Sequence, residues 1–456
     1  MNSKKMIATV LLASILSSNY LPCFAYSFKK PKVIQSQITE YKFQNVNLEW
    51  WKNYDDEYLE SYIVKAIEEN QDLKIATLRV EEANQLVKLQ FSKELPNASV
   101  GVAPGVLKSV GSTNSDGLVA LPMIVNYEAD IFLKNHDKTK SAKKAYEVSK
   151  LNEKAIYIAV ASQIGSTYFN VVKLDKIISV QDSIIKNRKE IYELMKMRNK
   201  IGITSTADVV RAQKSYVAAV ADMSDLKKTR EILLNSLAVM IGESPANTSE
   251  FKRISYDELS KKIQIPNKIS SEVIVQRPDY QAAEKQVEKA GLDVKIAKKE
   301  FLPTINILGL LSFNSLSSLS NSMNWESALA AFGGAAMLPI FTGGAKIANL
   351  KLAKNHYEQI LQAYYKTNLV AIQEINDALS SLKIDNDKYE KNLESYNLQK
   401  KDYDYMKYRY DQGIISNLDL IQQKESLLAI NKMVISSKAD CYIDQISLYK
   451  AAAGKV

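Results

Sequence analysis

Few side chains in this chain could carry covalent or metal chemistry. The 456 residues include two histidines and two cysteines. His136 and His356 lie in stretches of helical periodicity with no His or Cys cluster beside them, and a metal site needs several converging ligands. No zinc spacing, phosphate-binding loop or nucleophile motif occurs. No acid, base and nucleophile come together as a constellation, so catalytic residues, metal ligands and cofactors are not expected, and an enzyme is the least favoured reading. What does stand out is a charged turn that occurs twice. Arg198 to Val210 reads RNKIGITSTADVV and Arg409 to Ile421 reads RYDQGIISNLDLI. Arg198 and Arg409, Gly202 and Gly413, Ile203 and Ile414, Ser205 and Ser416, and Asp208 and Asp419 all correspond at one offset of 211 residues. The glycine can take the left-handed conformation that closes a helix. The serine can cap the next helix, with the aspartate three residues on as the acid of a capping box. The shared Arg and Ile do not follow from capping, which leaves room for a contact role.

Each turn is the tip of a long helical hairpin. A helix is expected from about Lys134 to Lys200, on the order of 100 Å long. Ile164, Val171, Ile178 and Ile185 recur every seven residues, with Ile177, Ile184 and Ile191 as a second series beside them. Strict sevens underwind a helix against a neighbour, and two series make a face broad enough for more than one neighbour. A return helix runs from Ser205 to Ile241 and ends at Gly242. The second hairpin is Ala345 to Tyr410, with the series Ile375, Leu382, Tyr389, Tyr396, Tyr403 and Tyr410, then Ser416 to Ala453. The tyrosine series is read first as seam packing.

The duplication extends upstream. Asp72, Ala76, Val80, Ala83 and Leu95-Pro96 match Asp279, Ala283, Val287, Ala290 and Leu302-Pro303 at an offset of 207. In each half, a helix (55–94, then 277–300) precedes two uncharged strand segments joined by a Ser/Asn-rich loop. The organisation expected is a signal peptide over 1–25, a first repeat over 26–245, a linker over 246–271 and a second repeat over 272–456.

Lys4 and Lys5, the apolar stretch Met6 to Leu16 and Cys23-Phe-Ala25 make a secretory signal cleaved after Ala25. Cys23 is also where a bacterial lipid would be attached, but Tyr20-Leu21-Pro22 is a poor lipobox, so lipidation is the less favoured outcome. Cleavage leaves Cys441 alone, without an intramolecular disulfide. Beyond the signal no apolar run of about 18 residues is evident, so no membrane-spanning helix is expected. The formal charge of +9 is spread along the helices, which reads as solvated faces, and no nucleic-acid partner is expected. Tyr26 to Tyr54 should be extended, with Trp50-Trp51 free to pack on helices.

Four strands cannot close a barrel, and in lipid an open edge is not tolerated. Three chains would supply twelve, an even number in the range of outer-membrane barrels. The fold class expected is therefore mainly α with a membrane β-barrel. Long antiparallel coiled-coil hairpins and four strands per chain would assemble as a trimer with a 12-stranded barrel.

The residues Asn70-Gln-Asp-Leu73, Tyr127-Glu-Ala-Asp-Ile-Phe132, Leu237-Ala-Val-Met-Ile-Gly242, Arg277-Pro-Asp279, Phe301-Leu-Pro303, Pro339-Ile-Phe-Thr-Gly-Gly344 and Leu448-Tyr-Lys450 stand in this order in a duplicated chain. Over essentially all of its mature length the sequence resembles the TolC-like outer-membrane efflux proteins. The resemblance implies a homotrimer with a β-barrel in outer-membrane lipid and an α-helical periplasmic tunnel, a passive exit duct for small molecules such as drugs. It also implies a periplasmic membrane-fusion adaptor and an inner-membrane pump of the RND or ABC type. It marks Arg198, Gly202, Ile203, Arg409, Gly413 and Ile414 as adaptor-docking tips, and Asp208, Tyr410 and Asp419 as a gate. Three copies of Asp419 on one axis would repel and raise one another's pKa values, while Tyr410 would tie the hairpins through Asp208. The chain departs from the family at Leu133, where Gly usually follows the aromatic. It departs again at Ile415 and Gln422, where gate charges usually stand. A duct for protein export of type I keeps the same fold with another cargo. A periplasmic coiled-coil scaffold without a pore would leave the uncharged strand segments unexplained.

Overall fold

The two halves fold into the same series of elements, each with a 67-residue helix followed by a 35-residue helix. The computed structural model describes residues 50–108, 115–259, 265–266, 269–270, 272–315 and 328–453. The signal, Cys23 and most of the expected extended segment lie outside the described residues.

In chain order the elements are α1 (Glu57–Glu69), α2 (Gln71–Phe91), β1 (Asn97–Val100), β2 (Ala103–Lys108), β3 (Ser115–Ala129), α3 (Lys134–Lys200), α4 (Thr206–Met240), α5 (Glu272–Gln276), α6 (Pro278–Lys299), β4 (Thr304–Ser315), β5 (Ala328–Met337), α7 (Ala345–Asp411) and α8 (Asn417–Ala451). The helix expected over 55–94 is broken. Asn70 leaves the helical region at ψ 128°. Its Oδ1 accepts from Leu73 N at 3.0 Å, and its Nδ2 donates to Met240 O at 2.7 Å in the last turn of α4. The duplication holds at this atomic detail. Arg277, 207 residues on, donates to Ala451 O at 2.9 Å in the last turn of α8, and Ala451 lies 211 residues after Met240.

The described chain divides into two compact units that cut across the sequence repeats. One takes in Glu81–Glu147 and Lys285–Gln362 and holds the sheet; the other takes in 50–80, Val148–Glu284 and Ala363–Val456 and is helical. In the first unit an antiparallel sheet runs β1-β3-β4-β5, with β2 also on β3. β1 and β2 are one strand interrupted once. Their registers on β3 are continuous, Val100 opposite Met123 and Ala103 opposite Ala120. The gap faces Pro122, whose carbonyl accepts from Gly101 N at 2.9 Å but which has no N–H to return the bond. Four strand positions are thus present, as expected. The strands run further into the polar segments than their side chains suggest, to Lys108 and from Ser115. Alternation sorts their residues. Leu121, Met123, Val125, Tyr127, Ile305, Ile307, Leu311, Phe313 and Phe332 share one face. Asn97, Ser99, Asn126, Glu128 and Asn306 share the other, where a cavity of about 770 Å³ is lined by Asn97, Asn126, Glu128 and Asn306.

In the helical unit the four long helices lie side by side in the order α4, α3, α8, α7. Bonds such as Gln181 Nε2 to Ala219 O (2.8 Å), Lys173 to Asp440 (3.1 Å) and Gln399 Nε2 to Gln423 Oε1 (2.9 Å) mark the three seams. Averaged over a window, part of α3 is apolar and long enough to cross a membrane, against the sequence expectation. That window is 61% buried inside the protein, and Ile164, Tyr168, Phe169, Val171 and Val172 belong to the main core. It is a core stripe. Trp50 and Trp51 form a 3₁₀ turn rather than an extended arm and are buried there, Trp50 stacked on Tyr449 at 5.8 Å. Gly165 makes room, since a Cβ on it would sit 2.6 Å from Trp50 Cη2. Asp56 caps α1 and accepts from Tyr168 Oη at 2.6 Å.

Across the α7–α8 seam, Asp444 faces Asp385. Burial first, and then the second carboxyl, push Asp444 up to about 7. Two carboxyl groups can bond only with a proton between them. The folded pKa lies above the unfolded one, so this pair's contribution to stability is complete below about pH 4 and is lost as pH rises through about 7. Asp444→Asn supplies a permanent donor. Its melting midpoint should therefore change less than the wild type's between pH 5 and pH 8. Parallel curves for the two proteins would show that no proton is shared.

Candidate functional site: the hairpin tips

Both tips are built as their spacing dictates. Gly202 has φ 78° and Gly413 has φ 69°, the left-handed conformation. Ile203 N donates to Arg198 O at 2.9 Å, and Ile414 N to Arg409 O at 2.9 Å, so each Arg–Ile pair spans the closing loop through its backbone. Both capping boxes are complete. Asp208 N donates to Ser205 Oγ at 3.2 Å while Ser205 N returns to Asp208 Oδ2 at 3.4 Å. Asp419 N donates to Ser416 Oγ at 3.3 Å and Ser416 N to Asp419 Oδ2 at 3.1 Å. Ile203 and Ile414 stand out into solvent, 66% and 61% exposed, with Met197 and Ile201 also exposed on the first tip. Each tip therefore offers an apolar, small-residue knob on a rigid, capped turn.

The structure does not bring Tyr410 to Asp208. The Asp208 carboxylate is already held by Ser205 and by Arg211 Nη1 at 3.0 Å. Tyr410 occupies the position of Asn199 in the first tip, where the amide closes the loop on Thr204 O at 2.8 Å. The longer phenol makes no such bond among the described residues and is 38% exposed. Within one chain neither aspartate is raised. The Ser205 hydroxyl holds Asp208 below the usual carboxylate range. The Ser416 hydroxyl does the same for Asp419, helped by the nearby positive charge of Arg198.

A second set of contacts escaped the sequence reading. Asn187, only 2% exposed, donates from Nδ2 to Ile421 O at 3.0 Å. Arg188 donates from Nε to Glu425 Oε1 at 2.6 Å and from Nη1 to Ser215 O at 3.2 Å. Glu190 Oε1 accepts from Asn417 Nδ2 at 3.3 Å. The one signal was the polar pair Asn187-Arg188 interrupting an isoleucine series. His136 Nδ1 lies 3.4 Å from Glu94, and no metal-holding group of His, Cys, Asp or Glu occurs among the described residues. Cys441 is buried, and burial pushes its thiol up to about 12.

The outer membrane efflux protein family matches residues 62–243 and 269–454, one segment in each half. The chain belongs to the outer membrane efflux protein family. It is accordingly an outer-membrane efflux component and not an enzyme. It is 24% identical over 414 residues to the antibiotic efflux pump outer membrane protein ArpC of Pseudomonas putida, covering 89% of this chain and 84% of that one. It is likewise 24% identical over 414 residues to the cation efflux system protein CusC of Escherichia coli K12, covering 90% and 89%. Among solved structures, the Campylobacter jejuni CmeC outer membrane channel superposes with TM-score 0.83 at 24% identity, over 90% of this chain and 89% of that one. The open state of the Neisseria gonorrhoeae MtrE outer membrane channel does so with TM-score 0.78 at 24% identity, over 88% and 89%. The fold of this efflux protein is thus the fold of those channels.

Proposed function

We propose that this efflux protein is the passive exit duct of a tripartite system. It works as a homotrimer in outer-membrane lipid and is docked at its tips by a periplasmic adaptor fed by an inner-membrane pump of the RND or ABC type. The observation that carries the reading is the sheet. Among the described residues it has two unpaired edges, one face that is apolar from Leu121 to Tyr127 and from Ile305 to Phe313, and one face with a polar end. Only closure removes such edges in lipid, and three copies give twelve strands, apolar side outward. The outer helices support the same assembly. Val210, Val217, Ile232 and Val239 on α4 and Leu369, Ile384, Leu398 and Tyr405 on α7 are exposed. Stripes on the two edges of one helical row suit a head-to-tail contact that closes by three-fold rotation. ArpC and CusC are named for antibiotics and for cations, and small molecules are the cargo favoured here over exported protein.

Asp208, Tyr410 and Asp419 are proposed to line the closed aperture. Three Asp419 carboxylates on one axis favour cations. Since Tyr410 makes no hydrogen bond among the described residues of its own chain, its latch partner is assigned to the neighbouring copy. Single-channel recording in planar bilayers tests both roles. Asp419→Ala should lower cation preference, and Tyr410→Phe should raise the open fraction. Unchanged selectivity and unchanged gating together would leave these residues as helix caps and seam packing.

A further inference from the structure

In the sheet-bearing unit, a cavity of about 550 Å³ opens between α3 and α6. Lys140, Lys143, Lys144, Glu147 and Glu288 line it together with the apolar pair Gly291 and Leu292. Its charges do not cancel. Lys144 bridges Glu147 at 2.9 Å and Glu288 at 2.8 Å, and Glu288 is shared with Lys285 at 2.7 Å. Both acids are therefore occupied. Lys140 and Lys143 are exposed and form no ion pair among the described residues. One turn nearer the sheet, Lys295 and Lys299 share the single carboxylate of Asp137, at 3.3 and 2.6 Å. The groove thus sets surplus cations beside an apolar patch.

The groove opens on the lipid side of the sheet. Lys134 meets Glu128 at 2.7 Å, which puts Lys134 under the polar face. Lys143 follows about two and a half turns later and so projects from the opposite side of α3, under the apolar face. Phe132 and Phe301 are exposed where the strands give way to helices, as aromatics are where hydrocarbon meets headgroups. Lys140 and Lys143 sit about 9–14 Å from the start of α3. Helical side chains lean toward the N-terminus, and α3 starts at the sheet, so these long side chains lean back toward a headgroup layer about 5–7 Å deep. We propose that the groove holds the headgroup of an anionic phospholipid from the periplasmic leaflet, with Lys140 and Lys143 on its phosphate and Leu292 against the start of its chains. The inference rests on the channel reading above and adds to it a lipid class and a site. Basic clusters beside a membrane select anionic lipids.

The test is thermal melting of the full-length protein in detergent, with and without added phosphatidylglycerol, paired with native mass spectrometry of bound lipid. Phosphatidylglycerol should raise the wild-type melting midpoint by several degrees and stay bound, and phosphatidylethanolamine should do neither. Lys140→Gln with Lys143→Gln should lose both effects while melting like the wild type without lipid. Lys227→Gln with Lys228→Gln, which removes the same charge from exposed positions on α4, should keep both. Equal loss in the two double variants would overturn the groove and leave only attraction by net charge. An equal rise with inorganic phosphate would overturn the lipid in favour of a free anion. A wild type that ignores phosphatidylglycerol would overturn the groove and leave the channel reading standing. A water-soluble monomer would instead defeat the channel reading, and the groove with it.

Discussion

Gly242→Ala is expected to be among the most destabilising single-methyl substitutions in this protein. Gly242 ends α4 with φ 75°, and Glu243 N closes the turn on Ala238 O at 2.8 Å. A Cβ there would sit 2.7 Å from Glu69 O and 3.0 Å from Glu69 C, which are main-chain atoms at the end of α1. A flexible side chain could swing aside, but this peptide cannot, because the next residue is pinned. Asn70 Nδ2 is bonded to Met240 O, and Lys65 on α1 is paired with Glu243. Left-handed strain costs about 1–2 kcal/mol, and overpacking typically adds about 1–3 kcal/mol. The expected total is about 2–5 kcal/mol, read as a clear drop in melting midpoint. Co-melting of variant and wild type would mean that α1 and α4 part freely, and that their junction is not the fixed point it is taken to be.

Much of the architecture could be read from residue types because long helices obey local rules. The seven-residue series and the glycine and serine punctuation placed α3 at 134–200, as found, and placed both capping boxes. The break at Asn70 was hidden because the apolar period continues through it. Only the carbonyl of Met240, 170 residues away, reveals why the chain turns there. Strand ends were misjudged for a related reason. A ladder is made of backbone groups and continues through Ser, Gly and Asn wherever a partner strand runs alongside, and it fails at Pro122, where a donor is missing. The residues proposed for a gate can be picked out by type, but their partners cannot. Asp208 and Tyr410 are attractive partners in a list, but Ser205 and Arg211 reach Asp208 first, from within its own helix turn. Arg188 and Glu425 are 237 residues apart, and no local pattern joins them.

The paired variant Gly202→Val with Gly413→Val is expected to abolish efflux while leaving a trimer in the membrane. Both residues have positive φ, like Gly242, but their surroundings differ. A Cβ on Gly202 or Gly413 would meet nothing within 4 Å. The cost is therefore conformational strain alone, about 1–2 kcal/mol at each tip, and larger for a β-branched residue, which fits the left-handed region poorly. That strain falls on the loop that presents Ile203 and Ile414. Relaxing it rotates the backbone that Ile203 N and Ile414 N hold against the ends of α3 and α7. The knob proposed to meet an adaptor thus changes shape and gains two bulky groups, while the sheet and the aromatic core around Phe169 and Tyr442 lie outside the perturbed turns. Drug susceptibility should rise to that of a strain lacking the channel, with the trimer still recovered from outer membranes and adaptor no longer co-purifying. Recovery of adaptor at the wild-type level would remove the tips from the docking site. Loss of the trimer itself would show that the tip turns help to assemble the channel.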